Sequence, residues 1–237
     1  MIQENLAGIR AKIEASCKRS GRQANQVKIA AVTKTVPIER ISEAARLGLD
    51  VMGENKVQEA GAKIPALRPQ FPQLKWHMIG HLQGNKAARA CELFDCIQSL
   101  DSKKLAASLD RRAAELGKTQ DCLIEVKVSP EESKSGIAAE EAPALFEFCK
   151  TLKNVRVSGL MCIAPYFEDA NLARPYFSKA RRLYDQFFSS GSLNDAGAPV
   201  LSMGMSHDFE AAIEEGSTMI RIGTALFGER TAARKVL

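Results

Sequence analysis

What most limits the fold of this chain is a rhythm: eight short apolar runs alternate with stretches of helical patterning. The runs lie at Val27–Val32, Leu49–Met52, Trp76–Ile79, Phe94–Ser99, Cys122–Val128, Val155–Met161, Pro199–Ser202 and Thr218–Ile222. Between several of them apolar residues recur at helical spacing. Ile38, Ile41, Ala45 and Leu47 do so before Gly48, and Leu105, Leu109, Ala113 and Leu116 do so behind an Asp101 or Ser102 cap. Eight strands alternating with helices in 237 residues predict a closed parallel (β/α)8 barrel. A doubly wound open sheet is the alternative, but eight strands at this even spacing would make it unusually long. Ile2, Leu6, Ile9, Ile13 and Cys17 add an extra N-terminal helix at about residues 2–20, capped by Gly21. No linker rich in Gly, Ser or Pro marks a second domain, so residues 1–237 read as one barrel.

A barrel of this type carries its site on the loops after the C-terminal ends of its strands. The unusual polar and glycine residues fall there: Lys34, Glu54-Asn55, Gly80-His81, Ser135-Gly136, Gly204-Met205-Ser206 and Gly223-Thr224. Lys34 directly follows the first run, between two threonines. A lysine so placed is drawn toward the interior, where desolvation lowers its pKa and frees the amine. That is what a Schiff base with a carbonyl such as pyridoxal phosphate requires. The ordinary alternative is a lysine that ends a strand and reaches out to water.

Phosphate in such barrels commonly binds the loops after strands seven and eight, on backbone N–H groups. Ser206 and its neighbouring amides suit that role, and Gly223-Thr224 offers a second set where glycine lets the backbone approach. Taken singly, the first is also an ordinary N-cap and the second an ordinary turn. Arg221 lies inside the last strand, on the same face as Gly223. Arginine is almost never buried without a partner, so it could face a phosphate, a pyridine nitrogen or a rim carboxylate. Facing a pyridine nitrogen, it would keep that atom unprotonated and weaken the ring as an electron sink.

Other chemistries find little support. The net charge is +5, but the basic residues come in pairs such as Lys103-Lys104 and Arg181-Arg182, so nucleic acid is not an expected partner. The six cysteines form no C-x-x-C pair; Cys96, Cys122 and Cys162 sit in apolar runs and read as core thiols, which suits a reducing compartment. There is no secretory signal and no apolar run of membrane-spanning length, so the expected location is cytoplasmic. His77 reads as a packed core histidine; His81 and His207 sit on rim loops without a third metal ligand. Gly117-Lys118-Thr119 lacks the upstream glycine of a phosphate loop, and no Gly-x-Ser-x-Gly elbow occurs. No long apolar stripe is left once the barrel closes, so a monomer is expected.

The sequence resembles the family of pyridoxal phosphate homeostasis proteins through nearly its whole length. The resemblance is carried by Ala31-Val32-Thr33-Lys34-Thr35, Gly53-Glu54-Asn55, Trp76 to Gln83 with Asn85-Lys86, Ser133-Lys134-Ser135-Gly136, Gly159-Leu160-Met161, Leu201 to Ser206 and Gly216 to Thr224. It implies a barrel like the N-terminal domain of alanine racemase, with pyridoxal 5'-phosphate held as an internal aldimine. Lys34 matches the Schiff-base lysine and Asn55 a residue lining the ring pocket. Ser206, Gly223 and Thr224 match the phosphate contacts, and Arg221 the arginine near the pyridine nitrogen. His207 departs from the family pattern beside the phosphate loop. The resemblance implies buffering or delivery of the cofactor, with PLP-dependent apoenzymes as partners, rather than catalysis. The alternative is a racemase-type enzyme using the same lysine. It would need an acid/base on the opposite face, which related racemases take from an added β domain. Tyr166 is the only tyrosine near the predicted rim.

Overall fold

The computed structural model describes residues 1–129, 135–188 and 198–229. Helix α1 (Ile2–Arg19) comes first. Then β1 (Lys28–Val32), α2 (Ile38–Arg46), β2 (Val51–Glu54), α3 (Val57–Leu67), β3 (Lys75–Met78), α4 (Ala87–Leu93), β4 (Cys96–Leu100), α5 (Lys103–Glu115) and β5 (Gln120–Lys127) alternate. They are followed by β6 (Ile137–Ala138), α6 (Ala142–Lys150), β7 (Val155–Cys162), α7 (Arg174–Phe188), β8 (Val200–Met205), α8 (Phe209–Glu214), β9 (Met219–Ile222) and α9 (Thr224–Phe227).

The strands run β4-β3-β2-β1-β9-β8-β7-β5, and pairing of β4 with β5 closes the ring. All pairs are parallel, so the expected eight-stranded (β/α)8 barrel is the fold. Strand β6 is an addition. Cys162 already holds one edge of Val126, so Ile137 pairs on the other, beyond the point where β4 stops.

Alternation along each strand sorts the side chains into two cores. Ala31, Met52, Ile97 and Ile220 face outward into the layer between sheet and helices, which also buries Ile2, Leu6, Ile9 and Ile13 of α1. Ala30, Val51 and Met219 meet inside the barrel with Val200, and Cys96, Leu123 and Met161 form a second inner group. Helix α1 lies against α2, α8 and α9, and its Asn5 side chain donates to the Leu226 carbonyl at 2.9 Å. All six cysteines are buried thiols.

Several sequence expectations need correction. The second strand begins two residues later than Leu49, because the Leu49 N–H is taken by the Ala44 carbonyl at the end of α2. Glu54 therefore ends a strand, fully buried, and is not a rim-loop residue. The strand expected at Pro199–Ser202 continues to Met205. Neither α4 nor β6 is foreshadowed: one is seven residues with four buried, the other two residues, too short for periodicity to register. Ser133 and Lys134 lie outside the described residues.

Candidate functional site

Thr33 extends the β1 ladder by one bond, its N–H donating to the Gly53 carbonyl at 2.9 Å. Val36 N–H then returns to the Thr33 carbonyl at 3.0 Å, closing a four-residue turn with Lys34 and Thr35 at its centre. Thr35 has φ 62°, a left-handed conformation that a β-branched residue rarely adopts. Lys34 is half-buried at the barrel's C-terminal end.

Strand register decides what stands beside it. Val32 is opposite Gly53, which places Asn55 next to Lys34 on one flank. Ala31 is opposite Ile222, which places Gly223 and Thr224 on the other, and Met205 opposite Arg221 sets Ser206 beyond them. Asn55, Lys34, Gly223-Thr224 and Ser206 thus occupy the C-terminal ends of four consecutive strands, β2, β1, β9 and β8.

Ser206 and the start of α9 form one unit. The Ser206 hydroxyl oxygen accepts from the N–H groups of Gly223 and Ala225, at 3.3 and 3.2 Å. Two backbone donors thus converge on one small region, an arrangement suited to an anionic oxygen. Helix α8 reaches this position because a Cβ on Gly204 would stand 2.6 Å from Ala212 Cβ and 3.0 Å from Phe209 Cα. On the far flank a Cβ on Gly80 would meet the Asn55 carbonyl oxygen at 2.4 Å, so only glycine lets that loop close over Asn55. Asp208 accepts the Met205 N–H at 2.6 Å, and burial pushes its carboxyl above the usual range.

Beneath the rim lies a layer of buried polar side chains. Arg221 is 4% exposed and donates to the Ser202 carbonyl and hydroxyl, at 2.8 and 2.9 Å, and to the Cys162 carbonyl at 2.9 Å. No carboxylate stands within ion-pair distance of it among the described residues. Burial pulls the guanidinium below its ordinary value. The Ser202 hydroxyl donates onward to Gln98 Oε1 at 2.7 Å, so the Gln98 amide turns its NH2 to His77 Nδ1 at 2.8 Å. This chain keeps the His77 proton on Nε2, and burial holds its pKa down to about 4. Glu125 faces the same interior: burial raises it to about 7, against the pull of the Arg221 charge.

The sequence points to Arg221 but not to its supports, Gln98, Ser202 and Glu125. The signal that would have found them is polar residues at inward positions of otherwise apolar strands. His207 bonds through Nε2 to the Phe167 carbonyl at 2.8 Å, with its ring 5.0 Å from that of Tyr166. Tyr166 is 72% exposed at the rim. Among the described residues no group of three or more His, Cys, Asp or Glu is placed to hold a metal.

Residues 5–231 match the family model for the alanine racemase N-terminal domain. The pyridoxal phosphate homeostasis protein of Aquifex aeolicus is 47% identical over 227 residues, covering 96% of this chain and 97% of that one. The chain belongs to this family. PipY of Synechococcus elongatus, solved with PLP bound, is 38% identical with a TM-score of 0.80, covering 96% of this chain and 100% of that one. Clostridium difficile alanine racemase, 14% identical with a TM-score of 0.71, shares the barrel; the match covers 98% of this chain and 60% of the racemase. Membership thus rests on sequence, and the racemase likeness concerns the fold alone.

Proposed function

We propose that the protein binds pyridoxal 5'-phosphate at the C-terminal mouth of its barrel, attached to Lys34, and buffers or delivers it without turnover. The observation that carries this reading is the convergence of Lys34, Asn55, Ser206, Gly223 and Thr224 on four neighbouring strand ends above a buried arginine. The family's naming for pyridoxal phosphate homeostasis, and the PLP-bound relative, support it. The bound group supplies an aldehyde that condenses reversibly with a primary amine.

The chain's own residues divide the remaining work. Ser206, the Gly223 and Ala225 amides and Thr224 hold the phosphate, with uncharged donors of fixed direction. Asn55 borders the ring on the other side of Lys34. Arg221 spends three of its five N–H groups on Ser202 and Cys162, leaving two to face the ring nitrogen as donors. A donor there keeps that nitrogen unprotonated and disfavours carbanion chemistry, which suits holding over turnover. PLP-dependent apoenzymes are the proposed recipients.

The test is the visible spectrum of the purified protein with pyridoxal 5'-phosphate, then borohydride reduction and peptide mass mapping. The expected result is a visible band lost on reduction, with the cofactor's mass on the Lys34 peptide and none in Lys34→Ala. No band would overturn the reading. Turnover of an amino acid, abolished in Lys34→Ala, would replace it with racemase-type catalysis.

A further inference from the structure

Between α3 and the ends of β1 and β2, next to Lys34, lies a buried ionic cluster that no role yet claims. Lys63, on α3, is 8% exposed and its ammonium has three acceptors: the Thr33 carbonyl at 2.7 Å, Glu54 Oε1 at 2.9 Å and Glu59 Oε1 at 2.5 Å. Glu59 Oε1 also accepts the Thr35 N–H at 2.5 Å, and Glu54 Oε1 accepts the Thr33 hydroxyl at 2.7 Å. The cluster therefore grips the peptide units on both sides of Lys34. One is held by its carbonyl, at Thr33, and the other by its N–H, at Thr35. Those two peptide planes define φ and ψ of Lys34, and so the direction in which its side chain leaves the backbone.

Burial raises the Glu54 carboxyl against the hydrogen bonds from Lys63 and Thr33, and its Oε2 has no hydrogen-bond partner among the described residues. Burial also works against Glu59, but Lys63 and the Thr35 amide together bring it below its ordinary value. Thr35 is held at φ 62° within this grip. A strained, non-glycine turn persists only where its surroundings over-determine it, and here they do so around one lysine.

We infer that Lys63 and Glu59 are positioning residues for the cofactor-binding lysine. They fix the turn so that Lys34 leaves it toward the mouth, and attachment does not have to order that backbone first. This inference rests on the proposed attachment at Lys34 and adds the elements that make it favourable.

The experiment compares two probes on the full-length protein. Pyridoxal 5'-phosphate can bond to Lys34, whereas pyridoxamine 5'-phosphate has the same ring and phosphate but no aldehyde. Lys63→Met and Glu59→Leu are expected to weaken the aldehyde probe by roughly 10- to 100-fold and leave the amine probe unchanged. Glu59→Gln keeps the acceptor oxygen and is expected to restore aldehyde binding to within about twofold of wild type. Should Lys63→Met fail to fold, Glu59→Leu carries the test, since that side chain is 27% exposed. Equal weakening of both probes would overturn the inference, showing mere support of the fold, and so would unchanged binding of both. A wild-type protein that fixes no mass on Lys34 would instead defeat the attachment reading itself, before any variant is compared.

Discussion

Lys63 and Arg221 are both almost sealed from water, at 8% and 4% exposed, but their surroundings differ in kind. Lys63 sits between α3 and the end of β1, with two carboxylates and a carbonyl around its ammonium. Arg221 sits in the barrel interior, where its described hydrogen-bond partners are two carbonyls and a hydroxyl. A buried charge is expensive unless it is paired and hydrogen-bonded. The first cation is neutralised where it stands; the second is hydrogen-bonded without local neutralisation, and its field reaches Glu125, Cys162 and Asp208. One arrangement shapes backbone, and the other leaves a positive charge buried in the barrel interior. Charge that is satisfied serves geometry, and charge left uncompensated points to a ligand.

The contrast can be broken by substitution. Lys63→Met should have the largest effect, a loss of about 3–5 kcal/mol in urea unfolding, because it strands the buried Glu54 carboxyl. A loss under about 1 kcal/mol would show that the Lys63 cluster is not the neutralised site described here.

Glu125 tests the other cation's surroundings through pH. Its acid form persists in the folded protein to about pH 7, whereas its ordinary value is 4.5. The folded state binds the extra proton in that window, so this group's contribution to stability falls as pH rises through it. Glu125→Gln removes the fall. It should match wild type near pH 4 and exceed it by about 3 kcal/mol at pH 8. An equal difference at both pH values would mean that the carboxyl does not titrate there.

Ser202→Ala takes away one acceptor from Arg221 and the only described donor to Gln98 Oε1. The expected cost is about 1–2 kcal/mol in thermal unfolding, with weaker pyridoxal 5'-phosphate binding as the guanidinium loses its fixed direction. The smallest change sharpens the comparison from the opposite side. Glu59→Gln keeps both hydrogen bonds at a partly exposed position, so stability should move by less than about 0.5 kcal/mol. A larger loss would mean that the charge of Glu59, and not its acceptor geometry, holds the Lys34 turn.

Much of the site could be read in advance because strand parity and strand ends are local properties. Arg221 and Gly223 share a face two residues apart, and a Cβ on Gly223 would lie 3.5 Å from the inward Val32 Cβ. Lys34 could be placed at a strand end from the nine residues Val27–Thr35 alone. Glu54 shows where that reasoning fails. It looks like a loop residue after Met52, yet a helix end that consumes the Leu49 N–H moves the strand by two positions and buries it.

The sequence by itself determined the alternation of strands and helices, the barrel that follows from it, and the rim on which Lys34, Asn55, Ser206 and Gly223-Thr224 fall. It did so because hydrophobic periodicity is written in consecutive residues. Only the tertiary structure decided that Ser202 meets Gln98 104 residues away, that Lys63 reaches back 30 residues to Thr33, and that Arg221 is held by carbonyls and a hydroxyl without a carboxylate. Periodicity tells which face a side chain takes. What stands opposite is set by closing the ring, which joins strands far apart in the chain.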